Sequence, residues 1–125
     1  MRYMNHSSEF ESLVDDAKSR INEVTVAETR ERMDAGARLV DVREDDEWRS
    51  GHARDAVHLG RGVIERDIVK TFPDRSTELI LYCGGGFRSA LAADNLQKMG
   101  YTNVFSTAGG WKAWKDAGAP QISES

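Results

Sequence analysis

Beyond residue 24 the chain alternates between two hydrophobic periods. Short runs rich in consecutive apolar and β-branched residues, at 38–42, 56–59, 78–82 and 103–106, have the length and composition of buried strands. The stretches between them read as helices with recognisable ends. Thr25 and Glu28 form a capping box that opens one helix, which Gly36 closes. The acidic run at 44–47 suits the first turn of a second, where carboxylates meet the positive end of the dipole, and Gly51 stops it. A third occupies about 63–72 ahead of Pro73, and a fourth runs over about 88–99 to Gly100. A fifth opens at Gly109-Gly110, carries Trp111 and Trp114 as core aromatics, and ends at Gly118 and Pro120. Strands alternating with helices predict right-handed crossovers, hence an α/β fold with a parallel sheet covered on both faces. Ahead of this pattern, Phe10, Leu13, Val14, Ala17 and Ile21 share one helical face, with Ser8 and Glu11 as a capping box. That helix is expected to pack on the domain or to serve as a dimer contact. No repeat, linker or low-complexity segment interrupts the chain, and residues 121–125 read as a frayed tail.

One run carries chemistry as well as structure. Leu79-Ile80-Leu81-Tyr82 ends at Cys83, and Gly84-Gly85-Gly86-Phe87-Arg88-Ser89 leads directly into a helix. A thiol at the carboxyl end of a buried strand faces a turn whose backbone amides are free to converge on it, with a helix dipole behind. Such surroundings hold a thiolate and an anion beside it. Inside the apolar run, Cys83 would read as a small inert hydrophobe. Its place at the end of the run, before three glycines, marks it instead as a nucleophile. Asp41-Val42-Arg43 sits at another strand end, and ligands of open parallel sheets bind at those ends, so the two segments are expected to share a site.

Composition narrows the function without naming it. At 125 residues the chain fits one domain, and 39% hydrophobic with 30% charged residues describes an ordinary globular protein. A net charge of −4 argues against a nucleic-acid partner, and no run is long and apolar enough for a membrane span. The first twelve residues carry no apolar signal region. A single cysteine cannot form an intramolecular disulfide, which points to the reducing cytoplasm. His6, His52 and His58 have no metal-ligand spacing, so neither a metal nor a cofactor is expected.

The ordered motifs resemble those of the rhodanese-like sulfurtransferases over roughly residues 24–120. Leu39-Val40-Asp41-Val42-Arg43, followed by Glu47-Trp48 and Gly51-His52, is similar to the family's first signature. The segment from Tyr82 to Ala90 resembles its active-site loop and following helix. Val104-Phe105, Gly109-Gly110-Trp111, Trp114 and Gly118-Ala119-Pro120 resemble its closing signature. The resemblance implies a five-stranded parallel sheet flanked by helices on both faces. It divides the chain into an N-terminal helical extension at 1–22, a rhodanese-like domain at 23–120 and a tail at 121–125. Two departures stand out. Ala53-Arg54-Asp55-Ala56 replaces the family's Ile-Pro-Gly-Ala, which should alter that turn. Thr107 replaces a leucine, which should loosen packing near the last helix.

The implied chemistry is sulfur transfer. Cys83 attacks the sulfane sulfur of a small anionic donor such as thiosulfate, becomes a persulfide, and yields the outer sulfur to a thiol or cyanide acceptor. Amides of Gly84, Gly85, Gly86, Phe87, Arg88 and Ser89 are expected to bind the anion, and Phe87 to wall the pocket mouth. The family places the position of Arg43 near the pocket, where Arg43 and Arg88 would add charge. Asp41 is expected to be a structural hydrogen-bonding carboxylate. A sulfur-relay protein is a further expected partner, with the chain a monomer or homodimer. Two alternatives compete: a persulfide carrier or sensor, and a cysteine-dependent phosphatase or arsenate reductase. The latter uses Cys-x5-Arg, whereas Arg88 follows Cys83 by five positions, giving the smaller Cys-x4-Arg loop.

Overall fold

Leu79, Ile80, Leu81 and Tyr82 are all buried, as befits a central strand covered on both faces. This strand, β5 (Leu79–Tyr82), lies between β2 (Arg38–Asp41) and β6 (Val104–Thr107) in a computed structural model that describes residues 6–123. With β1 (Asn22–Val24) and β4 (Val57–His58) at the edges, the sheet has five parallel strands in the order β1-β6-β5-β2-β4. Alternate residues of β5 feed separate cores. Leu79, Leu81 and Cys83 join Val40, Val42 and Val104 beneath α1 (Ser8–Lys18), α4 (Ile64–Thr71) and α5 (Phe87–Lys98). Ile80 and Tyr82 join Val24, Leu39 and Trp114 on the opposite face, covered by α2 (Val26–Asp34) and α6 (Gly110–Asp116). The expected α/β sheet with helices on both faces is therefore present.

The helix ends follow local chemistry. Thr25 and Glu28 exchange both bonds of a capping box, the Glu28 N–H donating to the Thr25 hydroxyl at 3.0 Å. The cap of helix α1 lies one residue earlier than expected, because the Ser7 hydroxyl, rather than that of Ser8, accepts from the Phe10 N–H at 3.1 Å. The acidic run opens α3 (Asp45–Ser50), where the Glu47 carboxylate accepts from the Glu44 N–H at 3.0 Å.

One expectation is corrected, and the two departures from the family pattern take definite forms. Gln121 and Ile122 are not frayed; they form β7 (Gln121–Ile122), antiparallel to β3 (His52–Ala53), while the Arg54 N–H donates to the Pro120 carbonyl at 3.0 Å. The strand pairs through its backbone while both side chains are exposed, which is why no apolar pattern announced it. In the turn at 53–56, which lacks the family's glycine, Asp55 itself adopts a left-handed conformation, with φ 68°. Thr107, where the family has a leucine, is buried, and its hydroxyl pairs with that of Thr29 at 2.9 Å. Residues 1–5 of the expected extension and 124–125 of the tail lie outside the described residues.

Candidate active site

Strand β5 ends at Tyr82, and Cys83 begins the turn into α5. Gly86 caps that helix with φ +97°, a conformation that L side chains rarely adopt. The reversal turns the Gly86 N–H back onto Cys83 Sγ at 3.1 Å. One turn into the helix, the buried Ser89 hydroxyl lies 3.5 Å from the same sulfur and 2.8 Å from the Ser106 hydroxyl on β6. When Ser89 donates to the sulfur, the Ser106 hydroxyl supplies the proton that Ser89 accepts. Backbone and side-chain donors thus meet at a sulfur that is otherwise nearly closed to solvent.

The far side of the loop is gripped by α6. Trp111 and Lys112 N–H groups donate to the Cys83 and Gly84 carbonyls at 2.7 and 3.2 Å. This approach requires Gly110, since a Cβ there would overlap the Cys83 carbonyl oxygen. Loop carbonyls are bound by one helix while the Gly86 amide faces the sulfur, so that donor is held in place by the fold.

Arg88 and Arg43 have different fates. The Arg88 guanidinium borders the cleft above Cys83 and forms a two-point bridge to Glu47 at 2.7 and 3.1 Å. That hydrogen bond, with the nearby Cys83 sulfur assisting, holds Arg88 more basic than usual, and it holds the Glu47 carboxyl below its usual range. Gly84 leaves room for the guanidinium, since a Cβ there would lie 3.2 Å from Arg88 Nη2. Arg43, expected beside the pocket, does not line it. It is buried, donating to Asp41 from Nε at 3.1 Å and Nη2 at 2.9 Å, and to the Gly51 carbonyl at 2.6 Å. Burial works against its charge, but the Asp41 carboxylate outweighs burial and raises its basicity. Asp41 also accepts from the Tyr82 phenol at 2.6 Å and the Arg43 N–H at 2.8 Å. The Tyr82 proton is held firmly, first by burial and then by that carboxylate.

The cleft above Cys83 measures about 540 Å³. Phe87 and Gly85 line it, together with His6, Ser7 and Phe10, which the pattern of residues 8–21 did not reveal. Glu47 and Ser106 are further residues of the candidate site that were missed in the sequence; Glu47 stood in a motif but was assigned only to the acidic first turn of a helix. Among the described residues, no group of three or more His, Cys, Asp or Glu side chains is arranged to hold a metal ion, and no helix is long and apolar enough to cross a membrane.

Similarity to known proteins agrees with this geometry. A Schizosaccharomyces pombe mitochondrial protein with a provisional thiosulfate sulfurtransferase name is 35% identical over 89 residues, covering 62% of this chain and 63% of the relative's length. The thiosulfate sulfurtransferase GlpE of Pseudomonas savastanoi is 38% identical over 80 residues, covering 64% of this chain and 74% of that one. A solved structure from Rhodopseudomonas palustris, described as a protein of unknown function and possible tyrosine phosphatase, superposes with TM-score 0.78 at 30% identity, covering 94% of this chain and 96% of that chain. The family model of the rhodanese-like domain matches residues 25–117, and the chain belongs to that family.

Proposed function

We propose that this protein is a sulfurtransferase that moves sulfane sulfur through a persulfide on Cys83. The observation that carries this reading is the Cys83 sulfur at the end of β5, bonded by the Gly86 N–H at 3.1 Å and opening on the cleft. The Cys83 thiolate attacks the outer sulfur of thiosulfate. A Cys83 S–S bond forms, the sulfur–sulfur bond of the donor breaks, and sulfite leaves with the bonding electron pair. Cyanide or a thiolate then attacks the outer sulfur and releases Cys83 as thiolate. The amide cradle lowers the barrier by holding negative charge where it develops, a contribution of about 3 kcal/mol for one such donor in comparable sites. A reducing compartment suits this thiol chemistry.

The description of the Rhodopseudomonas neighbour favours phosphoryl chemistry as a second reading. Loop length and charge weigh against it. Arg88 follows Cys83 by five positions, and its guanidinium is engaged by Glu47 rather than turned inward to cradle a phosphoryl group. Intact mass after incubation with thiosulfate separates the two. One added sulfur atom on the wild type and none on Cys83→Ser is the expected result, with folding of the variant retained. Failure of the wild type to gain sulfur from thiosulfate or glutathione persulfide, together with turnover of arsenate or a phosphate ester, overturns the proposal. Persulfidation that one protein acceptor alone discharges would make the chain a carrier.

A further inference from the structure

Helix α1 begins outside the segment that matches the family model, yet it supplies one wall of the Cys83 cleft. Phe10 lies 6.4 Å from the Phe87 ring centroid in an edge-to-face arrangement, and the His6 ring bridges them at 5.0 and 4.8 Å. These three rings make an apolar wall beside a nucleophile that acts on small ions. The wall is rigidly mounted. Val14 and Ala17 are buried against α5, Arg20 grips Asp94 of α5 at 3.0 and 2.8 Å, and the Gln97 side-chain amide donates to the Arg20 carbonyl at 2.9 Å. Helix α5 also starts the cradle, so wall and sulfur belong to one packed pair of helices.

We propose that Phe10 is a specificity-determining residue, which makes the cleft favour sulfur acceptors that carry their thiolate on an apolar, ring-sized body. The inference rests on the sulfurtransferase reading and names the acceptor class for the same site. Size supports it: the cleft of about 540 Å³ falls within the range of pockets for organic ligands. At about 30 Å³ per water molecule in the liquid, an ion of two or three heavy atoms fills only a small part of it. Charge supports it as well. The Arg88 guanidinium is matched by Glu47, and Lys18, 5.4 Å from the Phe87 centroid, is paired with Glu23 at 3.4 Å. Paired in this way, the two cations attract an anion less strongly than free ones would, whereas a ring gains edge-to-face contact and burial against Phe10 and Phe87. In the second half-reaction the acceptor thiolate RS⁻ attacks the outer sulfur of Cys83–S–SH. The new bond gives RSSH, the Cys83 S–S bond breaks, and Cys83 leaves as thiolate.

The test compares wild type, Phe10→Ala and Phe10→Leu with thiosulfate as donor and either benzyl mercaptan or cyanide as acceptor. The ratio of kcat/KM for benzyl mercaptan to that for cyanide should fall about tenfold in Phe10→Ala and largely recover in Phe10→Leu, which keeps apolar volume. An unchanged ratio overturns the proposal. A second readout does not need turnover. Cys83 is the sole cysteine, so its alkylation by N-benzyl iodoacetamide against iodoacetamide is followed by intact mass. Wild type should prefer the benzyl reagent relative to free cysteine, and Phe10→Ala should lose that preference. A wild type without such preference also overturns the proposal. Preference retained in a protein that transfers no sulfur upholds the aromatic wall and overturns the sulfurtransferase reading instead.

Discussion

Strands β2 and β5 lie side by side with Asp41 level with Tyr82, and each ends in a segment holding a polar residue of catalytic type. The two ends do opposite things. After β2, the Asp41 carboxylate receives Arg43 and the Tyr82 phenol, and Arg43 spends its remaining reach on the Gly51 carbonyl. Every charge there is answered and sealed from water. After β5, the Gly86 amide and the Ser89 hydroxyl point at a sulfur that opens on a cleft, and Arg88 lies at its border. Position at the carboxyl end of a parallel strand thus does not by itself make a site. What distinguishes the second end is donor capacity aimed at a group that can still react.

Substituting Asp41 by Asn should produce the largest stability loss, because it leaves the Arg43 guanidinium buried without its counter-charge. Breaking one side of such a pair costs about 3–5 kcal/mol, read as a lower urea midpoint. A loss below about 1 kcal/mol would place this pair among solvated bridges and erase the contrast between the two strand ends.

Arg88→Met should reverse the pattern. Its bridge to Glu47 is about one-third exposed on both sides, so the stability loss should stay under about 1 kcal/mol. KM for thiosulfate should nevertheless rise roughly tenfold, as one charge-assisted contact to the donor is removed. Acid offers an independent arm. The Glu47 carboxyl is depressed in the folded state, chiefly by the Arg88 hydrogen bond, so the bridge stabilises the fold above the unfolded value of about 4.3 and is lost as pH falls through the lower folded value. Between pH 5 and 8 its contribution should stay flat, and Arg88→Met should remove a small part of the acid sensitivity below that window. An unchanged KM in Arg88→Met would assign this arginine to structure, like Arg43.

The same contrast explains what was legible in the chain. The Cys83 loop is local: strand end, glycines and helix start are contiguous, so their chemistry follows from their order. The central strands were equally legible, since burial on both faces leaves unbroken apolar runs such as 79–82. The short strands β1 and β7 were not. Asn22–Val24 has two exposed residues of three, and Gln121–Ile122 is exposed throughout, so neither carries an apolar run that marks it as a strand. Side-chain partners across long separations were also hidden. Glu47 reaches Arg88 across 41 positions, and Phe10 reaches Phe87 only because α1 packs on α5. Arg43 was misread for a different reason: its partners lie nearby in sequence, but nothing local distinguishes a guanidinium folded back on Asp41 from one turned toward a ligand.

The turn after β3 provides the mildest test, at a place remote from the reacting sulfur. Asp55 is the one non-glycine among the described residues with positive φ, at 68°. For an L-residue this conformation costs roughly 1–2 kcal/mol, somewhat less for Asp. Asp55→Gly removes that strain but gives the unfolded chain back about 0.4–1 kcal/mol of conformational entropy. The two nearly offset, and a net gain of roughly 0.5 kcal/mol is expected. Asp55→Ala should instead lose stability, since alanine keeps the Cβ without a polar group that tolerates the left-handed region. Sulfur transfer should follow neither change. Should Asp55→Gly lower the urea midpoint, the Asp55 side chain rather than the backbone would be what holds this turn closed.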